Sequence, residues 1–243
     1  MIRTSHYIKE IADLTGVKAG TIRFYEKCGF LEPVPRLPNQ YRVFTAHHIH
    51  QIRVCSLVFG GYVNARLRKI SLDVIKAARA WDLAAYDRAT RAYQQAIDQD
   101  MIRIRKAIAL VSGRKDPEAN DQTYSKKEAA ALLGVTPETI RNWERNGLLA
   151  PQRPYAHRLY TADDMGRMYV IRFLLDTGYS CMAILRFLTE YDAGESQKAA
   201  DFLLGAVEDA ELKTRADQYL KSLERARAQA DELRGFLEDM KNL

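Results

Sequence analysis

The sequence predicts a mainly all-α chain made of two copies of one unit, each a small helical module with a short β-hairpin followed by a long helical arm. Three observations predict it. Residue pairs recur in register at one offset, helix start and stop signals bound short helices, and apolar residues in the later segments alternate at spacings of three and four.

The repeat is dense. Gly16-Val17, Thr21-Ile22-Arg23, Glu26, Gly29, Leu31 and Pro33 recur as Gly134-Val135, Thr139-Ile140-Arg141, Glu144, Gly147, Leu149 and Pro151, all 118 positions later. After a loop two residues shorter in the second copy, Arg42-Val43-Phe44-Thr45-Ala46 recurs as Arg158-Leu159-Tyr160-Thr161-Ala162, and Gly61-Tyr62 as Gly178-Tyr179. The expected organisation is a first module over 1–70, an arm over 71–112, a polar linker over 113–122, a second module over 123–188 and a second arm over 189–243.

In the second copy, Ser125-Lys126-Lys127-Glu128 has the form of a capping box, in which hydroxyl and carboxylate satisfy helix N–H groups reciprocally. A short helix to about Leu133 should follow, ended by a left-handed turn at Gly134. Thr136 caps the next helix with Pro137 at its first position, where the missing N–H is harmless, and that helix should stop at Asn146-Gly147. Two short helices joined through a glycine turn are a helix-turn-helix, whose second helix enters the major groove. That helix offers Thr139, Arg141, Asn142 and Arg145 to phosphates or base edges, while Ile140 and Trp143 or Leu148 supply apolar packing. The first copy offers Lys18, Thr21, Arg23, Tyr25 and Lys27. Its start, Lys18-Ala19-Gly20, predicts a less well-capped helix.

Pro33 to Arg42 and Pro151 to Arg158 are rich in proline and arginine and end in Val43-Phe44 and Leu159-Tyr160, which reads as a two-stranded β-wing in each copy. Arg36, Arg42, Arg153 and Arg158 on such protrusions suit phosphates. Thr45 and Thr161 then cap further helices, continued by Ile49, Ile52 and Leu57 or Met165, Met168 and Phe173. The fold class is thus tandem winged helix-turn-helix domains.

The pattern Gly-Val-x-x-x-Thr-Ile-Arg-x-aromatic-Glu-x-x-Gly-x-Leu, with a wing ending in Arg-Val-Phe-Thr or Arg-Leu-Tyr-Thr and a helix pair broken at Gly-Tyr, resembles the DNA-binding domain of the MerR family of bacterial transcription regulators. The resemblance covers residues 5–70 and 123–188. It implies a four-helix winged domain, a two-fold pair of such domains on a pseudo-palindromic promoter in double-stranded DNA, and regulation by distorting the DNA between half-sites. RNA polymerase and a small-molecule effector are further partners it allows. By motif position it implies DNA contacts at Arg23, Tyr25, Tyr41 and Arg42, and at Arg141, Trp143, His157 and Arg158. The aromatic pair Phe24-Tyr25 of the first copy is Asn142-Trp143 in the second, so the two modules should differ in operator preference.

Tyr219, Leu223, Ala226, Ala230, Leu233, Leu237 and Met240 form the seam of a coiled coil; Tyr93, Ile97, Met101, Ile104, Ile108 and Val111 form a looser stripe. In the family two identical arms pair antiparallel between subunits. A tandem copy can reproduce that pairing within one chain, and a homodimer of whole chains is the alternative. Charge favours the single-chain pseudo-dimer: residues 189–243 hold 8 Lys/Arg against 13 Asp/Glu, while residues 71–122 hold 9 against 8. Intrachain pairing keeps two acidic segments apart.

The modules carry the basic charge, 11 Lys/Arg against 4 Asp/Glu over 1–70 and 9 against 6 over 123–188, within a net charge of +6. Two localised polyanion-facing surfaces follow. No apolar run long enough to span a membrane and no leader at Met1–Glu10 is present, so a cytoplasmic protein is expected. Cys28, Cys55 and Cys181 are too scattered for a disulfide framework. His47, His48 and His50 with Cys55 lie near one helix start and read as solvated polar residues rather than a metal site, so neither metal nor cofactor is expected. Trp81, Tyr86, Tyr93, Phe187, Tyr191 and Phe202 are the candidates for an effector pocket, against the alternative that aromatics at helical spacing are core. No catalytic constellation is present, so an enzyme is not expected. The rival readings are a small-molecule sequestering protein on the same scaffold and an excisionase-like DNA-bending protein.

Overall fold

The computed structural model describes residues 6–61, 64–111, 122–149, 159–194 and 210–243, with the side chains of 108–111 and 210–217 outside that description. Its helices are α1 (Ile8–Thr15), α2 (Ala19–Lys27), α3 (Ala46–Gly60), α4 (Ala65–Ala80), α5 (Leu83–Val111), α6 (Lys126–Leu133), α7 (Pro137–Arg145), α8 (Ala162–Asp176), α9 (Cys181–Asp192) and α10 (Ala210–Asn242). The sequence offset is carried into structure: α6 and α7 begin and end 118 residues after α1 and α2, and α8 and α9 begin 116 residues after α3 and α4. By packing, the chain divides into one unit of residues 1–98 with 221–243 and another of residues 99–220.

In the first unit, Gly16 ends α1 at φ 68°, a left-handed conformation that a Cβ disfavours. Lys18 then opens α2 with no side-chain cap, as its sequence predicts. Ile11, Ile22, Tyr25, Phe44 and Ile52 meet in the core, and full burial of a side chain such as Ile22 contributes about 1.5–3 kcal/mol. His6 and Phe44 exchange backbone hydrogen bonds of 2.8 and 2.9 Å, tying the chain before α1 to the chain after the wing.

The three histidines of α3 depart from expectation. His48 and His50 are buried, and His47 is only half-exposed. His48 is part of the cap: its Nδ1 accepts the Thr45 N–H at 3.0 Å while the Thr45 hydroxyl faces the His48 N–H. Imidazole here does what the Asp164 carboxylate does for Thr161 at the start of α8. His50 packs among Trp81, Tyr86 and Phe236, with ring centroids 5.2, 6.1 and 5.4 Å away. No group of three metal-ligating side chains is found among the described residues.

The expected module boundary at 70/71 falls inside α4, and the one at 188/189 inside α9. Leu67, Val74, Ile75 and Ala78 continue one buried face without a breaker, so the turn comes only at Trp81-Asp82. Trp81 adopts φ 52°, ψ 33°, held by its stack on His47 with centroids 3.8 Å apart. Asp82 starts α5 by accepting the Ala85 N–H at 2.8 Å.

Within this unit the start of α5 and the end of α10 run antiparallel. The Tyr86 hydroxyl donates to the Leu233 carbonyl at 2.9 Å, Gln94 pairs with Asp231 and Arg234, and Asp98 pairs with Arg227. Leu223, Ala226, Ala230, Leu233 and Met240 of the expected seam are buried, with Leu237 half-buried. An ideal Cβ on Gly60 or Gly61 would stand 3.0 Å from the Gln229 side chain, so glycine permits this approach.

The second unit is built on the same plan. The capping box forms, with Ser125 N–H to Glu128 at 2.8 Å and Glu128 N–H to the Ser125 hydroxyl at 3.3 Å. Gly134 turns at φ 66°, and Thr136 caps α7 ahead of Pro137. Leu133, Ile140, Met168, Ile171 and Phe187 are among the core residues. Tyr124 and Tyr160 exchange backbone hydrogen bonds of 2.8 Å, the counterpart of His6 and Phe44. Arg103 on α5 is buried against Asp100 and donates to the Leu132 carbonyl at 2.8 Å, anchoring this stretch of α5 to the end of α6. Among the described residues no helix is long and apolar enough to cross a membrane.

Candidate nucleic-acid interface

Packing of α2 on the core decides which of its side chains face outward. Ile22 and Tyr25 are three apart and share the buried side. Lys18, Arg23, Phe24 and Lys27 are therefore exposed, with Thr21 half-buried at the edge of the row. Arg23 has no ion-pair partner among the described residues, so its guanidinium is available to an incoming anion.

The first wing is a tight hairpin. Leu37 N–H bonds the Tyr41 carbonyl at 2.9 Å across Pro38-Asn39-Gln40, and Arg36 and Arg42 face each other as an antiparallel bridge. Pro38 supplies the fixed φ of the turn, and Gln40 takes the left-handed position at φ 67°. Tyr41 is 64% exposed at the tip, edge-on to Tyr7 with centroids 6.5 Å apart. Between wing and helices lies a cleft of about 520 Å³ whose lining includes Lys9, Arg23, Asn39, Tyr41 and Arg42. It is an open, cationic concavity with aromatic edges.

Glu26 joins this wing to α2. Its carboxylate accepts from Arg42 Nε at 2.6 Å and stands 3.5 Å from Arg36 Nη2. Both wing arginines are thereby held beside the outward row of α2, at the cost of part of their charge.

In the second module, Arg141 and Arg145 are 61% and 63% exposed, and Asn142 stands exposed where Phe24 stands in the first. Glu138 pairs with both arginines at 3.1 and 3.0 Å. Thr139 is half-buried, with its hydroxyl 2.9 Å from that of Thr136. Arg153, His157 and Arg158 lie outside the described residues. Glu144, the repeat partner of Glu26, is turned inward: it takes Lys126 Nζ at 3.0 Å and the Tyr160 hydroxyl at 2.6 Å. The sequence carries a trace of this exchange, because Lys126 and Tyr160 replace the apolar Ile8 and Phe44.

Two expected contacts are corrected. Tyr25 and Trp143 are 5% and 4% exposed, each three residues after a core isoleucine, and so belong to the packing. Tyr25 stacks on Phe59 at 5.6 Å, and burial pushes its hydroxyl up to about 12. The outward positions are those of Phe24, 56% exposed, and Asn142. Phe24, Glu26, Lys9 and Glu138 are not among the contact residues expected from the sequence; the helical period locates the first, and nothing local locates the others.

The aromatic candidates for an effector pocket are mainly core. Tyr86, Tyr93 and Phe187 are buried, Trp81 is half-buried on His47, and Tyr191 is half-buried 6.1 Å from Phe187. Burial raises the Tyr86 and Tyr93 hydroxyls above the usual tyrosine range. Phe202 lies outside the described residues. Clefts of about 390 and 520 Å³ are lined by other side chains.

Fold and surface together define a helix-turn-helix present twice, with a basic wing described in the first copy. The family model described as "MerR family regulatory protein" matches residues 7–44, and that described as "MerR HTH family regulatory protein" matches residues 124–191. Each module of the chain thus matches a MerR-type domain. Over 92 residues it is 35% identical to the HTH-type transcriptional repressor CarH of Myxococcus xanthus, covering 37% of this chain and 30% of that protein. Over 45 residues it is 38% identical to the HTH-type transcriptional regulator CueR of Escherichia coli, covering 18% of this chain and 33% of that protein. The chain thus spans about a third of the length of these curated relatives. No solved structure matches it significantly.

Proposed function

We propose that this chain is a DNA-binding transcription regulator that uses its two winged modules on the two half-sites of a pseudo-palindromic promoter and acts by distorting the DNA between them. The observation that carries the reading is the duplicated helix-turn-helix with an outward cationic row on each second helix, joined in the first module by a wing that Glu26 holds in place. Lys18, Thr21, Arg23, Arg36, Tyr41 and Arg42 form the first contact surface. Thr139, Arg141 and Asn142 form the second, joined in this reading by Arg153, His157 and Arg158, which the sequence assigns to a second wing. Both named relatives are transcription regulators, which supports the class.

The active form in this reading is one chain. Antiparallel packing of the end of α10 on the start of α5 supports it, since that is the pairing two separate arms would otherwise make between subunits. The reading includes RNA polymerase as the machinery affected and leaves room for a small-molecule effector acting on the arms.

The test combines light scattering with footprinting over a salt series. A monomer that protects two adjacent half-sites, with affinity falling steeply as salt rises, is the expected result. A salt-insensitive response refutes DNA binding. A stable dimer whose separated halves each self-associate and bind a palindrome refutes the single-chain form.

A further inference from the structure

The two second helices of the duplicated modules share a backbone and differ in one charge. Gly20 of α2 aligns with Glu138 of α7, and a Cβ on Gly20 would meet nothing within 4 Å, so the position is open in the first module. In the second it holds a carboxylate 55% exposed, on the same helical face as Arg141 and Arg145 three and seven residues later. Glu138 bonds Arg141 Nη1 through one oxygen and Arg145 Nη2 through the other. Arg145 also donates to the side-chain amide oxygen Oδ1 of Asn142. The hydroxyl of Thr139 is engaged with that of Thr136. Among the described outward side chains of α7, Glu138 is the one anionic acceptor, and each of its oxygens retains a lone pair beyond its arginine bond.

Where phosphates draw Arg141 and Arg145 away from Glu138, the exposed carboxylate is unfavourable unless another donor meets it. The major groove presents such a donor in the exocyclic amino group of cytosine, the base edge that Glu and Asp accept from. Adenine presents its amino group beside the N7 acceptor, which a carboxylate repels. We propose that Glu138 is a specificity-determining residue: it makes the second module demand a cytosine at one position of its half-site and weakens that module's grip on DNA lacking it, a demand the first module, with Gly20, does not make.

This inference rests on the DNA-binding reading, and the experiment separates the two. Randomised-site selection is run with the full chain as wild type, Glu138→Gln, Glu138→Asp and Glu138→Gly, alongside affinity for mixed-sequence DNA and thermal melts by circular dichroism. Wild type should enrich cytosine at one position of one half-site. Glu138→Gln should relax that preference by roughly 5- to 100-fold, the range one base contact supplies, while leaving the other half-site unchanged. It should also bind mixed-sequence DNA more tightly, and Glu138→Asp should retain part of the preference. A purely structural role at the helix start would move the melt and leave the selected bases alone. Wild type and Glu138→Gln selecting the same motif with the same background affinity overturns the inference while the DNA-binding reading stands; a wild-type chain that selects no DNA overturns both.

Discussion

Acidification should loosen the first unit through His50, and the size of the effect follows from its surroundings. His50 is 4% exposed, its Nε2 has no hydrogen-bond partner among the described residues, and Trp81, Tyr86 and Phe236 surround it. Burial opposes the imidazolium and brings its pKa from 6.5 down to about 4, against a smaller pull upward from Asp239 and further lowering by Arg53 and His47. The unfolded chain therefore binds the proton first as pH falls. Stability is full above about pH 6.5, declines as pH drops from 6.5 towards 4, and levels below that. Between pH 7 and pH 5 this one group removes roughly 1–2 kcal/mol by linkage. The assay is urea unfolding at those two pH values for wild type and for His50→Leu, which keeps the volume and removes the titration. The variant should lose less stability than wild type over that interval by that amount. His48, also lowered by burial, continues to contribute in both. Equal pH dependence in the two proteins would refute the claim that His50 is held neutral in the fold.

Arg23→Ala should weaken binding across sequences and reduce the slope of log affinity against log salt by about 1, read by fluorescence anisotropy. Glu26→Ala releases Arg36 and Arg42 from α2, so the ratio of specific to non-specific affinity should fall even as the net charge rises, measured by competition with mixed-sequence DNA. Tyr160→Phe removes a 2.6 Å hydrogen bond from the buried Glu144 carboxylate and should destabilise the second unit by about 1–3 kcal/mol in thermal or urea unfolding. Tyr25→Ala and Trp143→Ala should unfold their modules rather than alter base preference, each by about 3–5 kcal/mol, as large buried aromatics do.

How much of this was legible depended on the range of the interaction involved. The bounds of α6 and α7 follow from Ser125, Gly134, Thr136 and Pro137, each acting within four residues, and the poorer start of α2 follows from Lys18 in the same way. The inward faces of Tyr25 and Trp143 were present in the three-residue spacing from Ile22 and Ile140, yet motif position pointed them at DNA. The burial of His48 and His50 was not legible, because α3 packs against α1, α2 and α4 and so carries core positions on several sides. A helix enclosed in that way shows little apolar periodicity. The opposite orientations of Glu26 and Glu144 depend on partners 16 and 18 residues away, beyond any local rule.

That last difference bears on why a tandem form would be kept. In a symmetric homodimer one residue must serve both half-sites, so a substitution that improves one contact is imposed on the other. In a single chain the copies diverge independently. Glu26 fixes a wing while Glu144 supports a core, and Gly20 leaves space where Glu138 places a carboxylate. Covalent linkage also replaces a concentration-dependent encounter between subunits with an effective concentration set by the linker. Dilution then separates the two architectures. A single-chain regulator should keep protecting both halves of an asymmetric site down to the dissociation constant for DNA itself, whereas a homodimer should show a steeper loss of occupancy once the protein falls below its dimerisation constant. Footprints that lose one half-site before the other under added salt, the half bound by the module bearing Glu138, would show the inequivalence directly; simultaneous loss of both halves at every salt concentration would refute it.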